Sequence, residues 1–319
     1  MDKIIQISST FIENNTDFKE LISRLGKGFA SNSVLVPMRH HHDFPNPSVK
    51  EDSTLLLMPA WNPGKEAGVK IVTVSPENGQ FNLPSIQGTY LYMDAVKGTI
   101  KAIIEAKGLT AKRTASASAL ASLYLSKTNA SSVLMIGTGA LSINLIKAHV
   151  SVRPIKEVYV WGRDFEKAKK IERELDTEKF EVRAIKTIEE KISTVDIISC
   201  ATLSKDPLVL GKYLRPGQHI DLVGAYKKDM READNESIKK GSVFVDTFQG
   251  GLKESGDIVI PLQEGVLNEK EIKADLFGLC SGNALGRVNN NEITIFKSVG
   301  HALEDLVAAK YYYNKYTNE

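Results

Sequence analysis

The sequence predicts an α/β protein with a doubly wound parallel sheet, and three observations carry that prediction. First, the apolar run Val133-Leu134-Met135-Ile136 leads straight into Gly137-Thr138-Gly139-Ala140-Leu141-Ser142, a strand, a glycine-rich turn and a helix start. A G-x-G turn in that setting lets backbone amides approach a pyrophosphate, which the helix N-terminus stabilises. Ser142 stands where a third glycine is usual, and it is small enough for close helix–strand packing. Second, strand and helix signals keep alternating downstream of this motif. Third, residues 1 to about 110 read differently, as an α+β segment in which prolines separate short apolar runs.

Element by element, Asp17 to Lys27 reads as an amphipathic helix. Val34–Val36, Thr54–Met58 and Gly68–Val74 read as strands, with Pro37, Pro45, Pro47, Pro59, Pro63, Pro76 and Pro84 in or beside the spacers. Gly88–Met93 and Gly98–Glu105 resemble a strand pair. An alanine- and leucine-rich stretch, Thr110–Lys127, reads as one helix leading into the central motif. Beyond it, Glu157–Trp161 is a strand and Asp164–Leu175 a helix with Asp164 as N-cap. Phe180–Ala184, Val195–Cys200, His219–Val223 and Ser242–Asp246 are further short strands. Ile293–Phe296 closes the series, followed by a helix from Ser298 to about Tyr313.

At 319 residues the chain is long enough for two domains with a large core. Hydrophobic residues make up 42% and charged residues 25%, the composition of an ordinary globular protein. A net charge of +2, with no basic run, argues against a nucleic-acid partner. Cys200 and Cys280 alone support neither a disulfide framework nor a cysteine-based zinc site. No signal peptide and no membrane-length apolar stretch is read, so the chain is expected in the cytoplasm, away from membranes.

The tip of the second strand of a dinucleotide fold often bears a carboxylate for the adenosine ribose, which favours NAD. Here the chain reads Trp161-Gly162-Arg163-Asp164. Arg163 suits a 2′-phosphate, so NADPH is favoured and NADH is retained as possible. The bland alternative is a solvated arginine beside a helix-capping Asp164. Arg39, Lys70 and Arg113 each lie at the edge of an apolar run. A guanidinium grips a carboxylate through two parallel hydrogen bonds, yet spacing does not bring these three together, and on pattern alone each is a surface charge. His40, His41 and His42 invite a metal reading. In an extended segment only His40 and His42 share a face, and no third ligand is evident, so no metal site is expected. They line a pocket beside Arg39 or are simply exposed. No G-x-S-x-G elbow supports serine-nucleophile chemistry.

Taken together, these stretches resemble the ornithine cyclodeaminase/μ-crystallin family over nearly the whole chain. The matching pieces are Pro37-Met38-Arg39, Leu56–Ala60, Gly68–Val72, Leu109–Ala121, Gly137–Ala140, Val223-Gly224-Ala225, and Phe296-Lys297-Ser298-Val299-Gly300 with Glu304-Asp305-Leu306. The resemblance implies a homodimer of two-domain subunits. Residues 1–112 plus 298–319 would form an α+β substrate-binding and dimerisation domain from both chain ends, and 113–297 an NAD(P)-binding Rossmann domain. It implies that Arg39, Lys70 and Arg113 hold the carboxylate of an α-amino or α-imino acid against the nicotinamide. It likewise assigns Thr114, Gly137, Thr138, Gly139, Ala140, Leu141, Ala201, Thr202, Val223, Gly224, Ala225, Ser298 and Val299 to the cofactor, beside Arg163.

One departure bears on the reaction. Cyclodeaminases and the related alanine dehydrogenases carry an aspartate two residues after the glycine matching Gly224, and this chain has Gly224-Ala225-Tyr226. A tyrosine of ordinary pKa, about 10, is a poor base at neutral pH. Asp221 and Asp229 are near in sequence, though neither matches that position. The expectation is an NAD(P)H-dependent reductase of cyclic imino acids, converting Δ1-pyrroline-2-carboxylate to L-proline, with Δ1-piperideine-2-carboxylate to L-pipecolate as a second candidate conversion. Lys70 and Tyr226 are the candidate catalytic residues, Tyr226 as a proton relay or as a wall of the pocket. The alternatives are an ornithine or lysine cyclodeaminase or alanine dehydrogenase, and a non-catalytic μ-crystallin-like binder of NADPH and a small ligand.

Overall fold

The structure is a computed structural model that describes residues 4–318. In chain order its elements begin with β1 (Ile5–Ile7), α1 (Ser9–Asn14), α2 (Phe18–Ser31), β2 (His40–Phe44), β3 (Ser53–Asn62), β4 (Glu66–Val74), β5 (Ile86–Asp94) and β6 (Ile100–Glu105). Next come α3 (Ala106–Leu125), β7 (Ser132–Ile136), α4 (Ser142–Val152), β8 (Glu157–Trp161), α5 (Phe165–Glu174), β9 (Glu181–Ala184), β10 (Ile197–Cys200) and β11 (His219–Leu222). The chain ends with α6 (Asn235–Lys240), β12 (Gly241–Val245), α7 (Phe248–Glu254), α8 (Gly256–Gln263), α9 (Leu276–Ser281), β13 (Ile293–Lys297) and α10 (Ala302–Thr317). Two compact units result: Met1–Arg113 with Ala302–Glu319, and Thr114–His301. Residues 1–3 and 319 of the expected end-built domain lie outside the described residues.

The first unit is built on a six-stranded mixed sheet, ordered β1-β6-β5-β4-β3-β2. Alternation sorts its side chains: Met58, Ala60, Lys70, Tyr90, Tyr92, Ala102 and Ile104 are buried, while their neighbours Leu57, Val69, Leu91 and Ile103 are only half-buried. Lys70 reaches Asp305 and the Tyr92 ring lies 5.1 Å from that of Tyr313, so the buried face is the one that α10 covers. Asp17 caps α2 by accepting from the Glu20 amide, and Leu21, Ile22, Leu25 and Phe29 form its buried stripe. The expected strand at Val34–Val36 shrinks to one bridge, Leu35 with Trp61. Pro37 follows and has no N–H to continue the ladder.

In the second unit seven parallel strands run in the order β12-β13-β11-β10-β7-β8-β9. β7, β10, β11 and β13 are buried along their whole length, the near-continuous pattern of a sheet covered on both faces. Their apolar side chains, among them Leu134, Ile136, Ile198, Leu222 and Ile295, join one core. The helix expected from Ser298 instead starts at Ala302. The reason is Asp246, whose Oδ2 accepts from the amides of Val299 (2.6 Å) and Gly300 (2.7 Å) and from Ser298 Oγ (3.3 Å). That carboxylate holds 298–300 as a turn, and Gly300 takes a φ of +82° within it.

Candidate functional site

Within the second unit, the glycine-rich turn lies at the point where strand order reverses, with β8 on one side of β7 and β10 on the other. Crevices outside the carboxyl ends of strands at such a point are where open α/β sheets bind ligands. Gly137 is required there twice over: its φ is +121°, and a Cβ would lie 2.6 Å from the Ala201 carbonyl oxygen. Ser142 does more than fit where a third glycine would. Its Oγ donates to the Gly137 carbonyl at 2.9 Å, tying the start of α4 to the turn. Ala140 is exposed and Leu141 half-buried at that helix start.

A cleft of ≈350 Å³ opens at this turn, lined among others by Gly137, Thr138, Gly139, Arg163, Lys167 and Thr202. Backbone of the 137–139 turn, the N-terminus of α4 and two exposed cations suit a phosphate-bearing dinucleotide. Asp164 is occupied as the cap of α5, accepting from the Glu166 amide at 3.0 Å. Lys167, one helical turn further, went unassigned in the sequence. The available signal was a cation three residues past a helix cap that follows the second strand.

Across the switch point, the loops after β10 and β11 meet. A Cβ on Gly224 would come within 2.0 Å of the Thr202 carbonyl oxygen. Glu232, fully buried, joins them: Oε1 accepts from Thr202 N (2.6 Å) and Oγ1 (2.9 Å), Oε2 from Gly224 N (2.8 Å) and Ala225 N (3.3 Å). Ala201 and Val223 are held by the sheet itself, donating to Ile136 and Cys200 carbonyls. Thr114 is buried on α3 in this unit, and Ser298 and Val299 sit in the Asp246-bound turn after β13. Tyr226 is exposed, with Lys227 Nζ 5.8 Å from its ring centre.

Neither nearby aspartate is a free base. Asp221 is fully buried mid-sheet, bound by Ser199 Oγ at 2.8 Å and by His149 Nε2 at 3.2 Å. Burial pushes its carboxyl up, but the His149 and Ser199 hydrogen bonds and the histidine charges outweigh that and hold it below the usual range. Asp229 is exposed and paired with Lys205.

In the first unit the structure gathers the candidate cations. Lys70 Nζ lies 2.8 Å from Asp305 Oδ2 and 3.0 Å from Oδ1. Arg113 is bound by Glu304 (2.7 Å) and by Asp305 Oδ1 (3.0 Å). Burial first, then the Arg113 charge, push the Lys70 ammonium down to about 8 against the pull of Asp305, and half-buried Arg39 adds to the repulsion. For Asp305, burial works upward, but Arg113 and then Lys70 prevail, so its carboxyl stays below the ordinary range. Glu304 and Asp305 belong to a stretch quoted from sequence without a role. Lys70 and Arg113 are therefore not bare; they are held in place by two buried carboxylates. His40, His41 and His42 lie exposed on edge strand β2, His40 and His42 facing one way with ring centres 6.1 Å apart.

A doubly wound dinucleotide-type unit and an α+β unit with a buried, carboxylate-braced cation cluster define a two-domain α/β protein of the nicotinamide-cofactor class. The chain matches the ornithine cyclodeaminase/mu-crystallin family over residues 2–319, and it belongs to that family. It is 43% identical over 317 residues to an uncharacterized protein of Schizosaccharomyces pombe, covering 96% of each chain. It is 35% identical over 307 residues to the Delta(1)-pyrroline-2-carboxylate reductase of Colwellia psychrerythraea, covering 95% of this chain and 96% of the relative. Among solved structures it resembles Thermococcus litoralis Delta(1)-pyrroline-2-carboxylate reductase in complex with NADH and L-proline. That likeness has a TM-score of 0.91 at 33% identity, covering 99% of this chain and 98% of the other.

Proposed function

We propose that this protein is an NAD(P)H-dependent reductase of cyclic imino acids, converting Δ1-pyrroline-2-carboxylate to L-proline and also accepting the six-membered Δ1-piperideine-2-carboxylate. The observation that carries this reading is the sequence Gly224-Ala225-Tyr226, which has no carboxylate where deaminating relatives keep one, in a chain 35% identical to a reductase of this kind. A cyclic imine already contains its C=N bond, so reduction needs only a hydride and a proton.

A bound reduced nicotinamide supplies the hydride, which becomes a C–H bond at the imine carbon. Arg39 and Arg113 hold the substrate carboxylate, and Lys70 orients the imine nitrogen and donates the proton that completes the N–H bond. Tyr226 walls the ring or relays the proton. Thr114, the 137–141 turn, Ala201, Thr202, Val223–Ala225, Ser298 and Val299 hold the cofactor. Arg163 and Lys167 bind a 2′-phosphate and favour NADPH over NADH. The first unit carries substrate and self-association, the second the cofactor, and the enzyme works as a homodimer in the cytoplasm.

The test follows oxidation of each reduced cofactor with five- and six-membered cyclic imines. In parallel, ornithine and NAD⁺ are supplied and ammonia is measured. Rapid imine-dependent oxidation without ammonia is expected. Ammonia release would make the protein a deaminase, and no turnover of any imino acid would make it a binding protein.

A further inference from the structure

Glu232 lies outside the lining of the ≈350 Å³ cleft and outside every motif that marks this chain, yet its side chain ties the Thr202 segment of that lining to the loop after β11. One carboxylate accepts from the amides of Thr202, Gly224 and Ala225 and from the Thr202 hydroxyl. Its own backbone is fixed in turn. Asp257 Oδ1 accepts from the Glu232 and Ala233 amides at 2.7 and 3.1 Å, and the Glu232 carbonyl accepts from Leu208 and Val209, each at 2.9 Å. Beneath it, fully buried Lys297 sits 3.0 Å from Asp257 Oδ2 and 3.9 Å from Glu232 Oε2. A carboxylate this deep is expensive to bury. These four hydrogen bonds, a further one from the Cys200 thiol at the end of β10, and the Lys297 cation keep it there, and each of the four runs to the loops after β10 and β11.

The loop after β10 contributes Thr202 to the same cleft as Arg163, from the other side of β7, and the loop after β11 lies one strand further from Arg163. A pyrophosphate at Gly137–Gly139 sends its adenosine towards β8 and Arg163, so the opposite, nicotinamide-bearing half passes over β10 and β11. We infer that Glu232 is a positioning residue for the nicotinamide half of the cofactor: it sets the Thr202 and Gly224–Ala225 loops at the spacing that half requires, and leaves the adenosine half to the glycine-rich turn. The inference rests on the dinucleotide reading above and adds a residue and a division of labour to it.

The experiment measures the affinities of wild type and Glu232→Gln for NADH and for ADP-ribose, which lacks the nicotinamide, alongside thermal unfolding. A glutamine turns an amide NH₂ toward backbone N–H donors, so at least one loop is released. Because hydrogen bonds to a charged acceptor are the strong ones, NADH affinity is expected to fall about tenfold or more. ADP-ribose affinity should stay within about twofold, since the glycine-rich turn is untouched. Should Glu232→Gln not fold, Gly224→Ala makes the same test, because its Cβ drives the two loops apart at the Thr202 contact. Equal losses for both ligands, or no loss of NADH affinity, overturn the inference. A wild-type protein that binds neither ligand instead overturns the dinucleotide reading itself.

Discussion

Lys70 and Asp305 are 235 positions apart in the chain, and their charged atoms meet at 2.8 Å in a buried pair. The pair sets how the site responds to pH. With Lys70 down at about 8, kcat/KM for the imine is expected to fall as pH rises through that value, because the deprotonated amine neither attracts a carboxylate nor donates a proton. Asp305 opposes the depression, so Asp305→Asn lowers the Lys70 value further and moves the alkaline limb to lower pH. Arg113, Arg39 and Asp305 all act on Lys70, and only Asp305 raises its value. Rate profiles of the two proteins with the same imine check this, since the substrate's own ionisation cancels in the comparison. An unmoved limb removes Lys70 from the titration.

Arg113→Ala should be damaging in two measurable ways. In the proposed reading the substrate loses a guanidinium, and Glu304 and Asp305 lose a buried partner. Stranding buried charges costs about 3–5 kcal/mol, so a markedly lower Tm is expected. The imine KM should rise about 100-fold or more, while NADH affinity, a property of the other unit, changes less than about twofold. Steady-state kinetics and cofactor titration separate the two effects; a parallel loss of cofactor affinity would remove Arg113 from the clamp.

Arg163→Ala and Lys167→Ala probe cofactor choice. Each should weaken NADPH by about tenfold, the scale of a charge-assisted phosphate contact, and leave NADH within about threefold. The double variant should prefer NADH. Equal effects on both cofactors would return Arg163 to the role of a solvated loop cation.

Self-association is expected to use the half-buried apolar face of the first unit's sheet, opposite α10, where Pro59, Val69, Leu91 and Ile103 are successive cross-strand partners. Sedimentation should find wild type as a dimer. Val69→Asp introduces a charge that a buried interface cannot hydrate, so it should sediment as a monomer. A dimer that survives the substitution assigns the contact elsewhere.

Much of the architecture was legible because it depends on local pattern. The strand–turn–helix at Val133–Ser142 and the paired strands β5 and β6 follow from periodicity and glycine placement alone. What escaped was set by distant partners. Nothing near Ser298 says that Asp246 will capture the next two amides and delay the last helix. Arg39, Lys70 and Arg113 came together only through family resemblance, because the contacts that brace Lys70 and Arg113 come from Glu304 and Asp305 at the far end of the chain. Glu232 was silent for a similar reason: its partners Thr202 and Lys297 lie 30 and 65 positions away, and a lone glutamate between loops has no signature.

The bracing of Lys70 and Arg113 by α10 has a consequence for biosynthesis. A ribosome makes both cations early and completes residues 114–301 before it reaches the helix carrying Glu304 and Asp305. The contiguous second unit can fold as it emerges, as domains generally do. The first has to wait, its two cations unable to leave water until their counter-ions arrive. Translation that stops short of residue 302 therefore yields a chain whose first sheet has all its strands but not α10 over its apolar face, a natural target for chaperones and proteases.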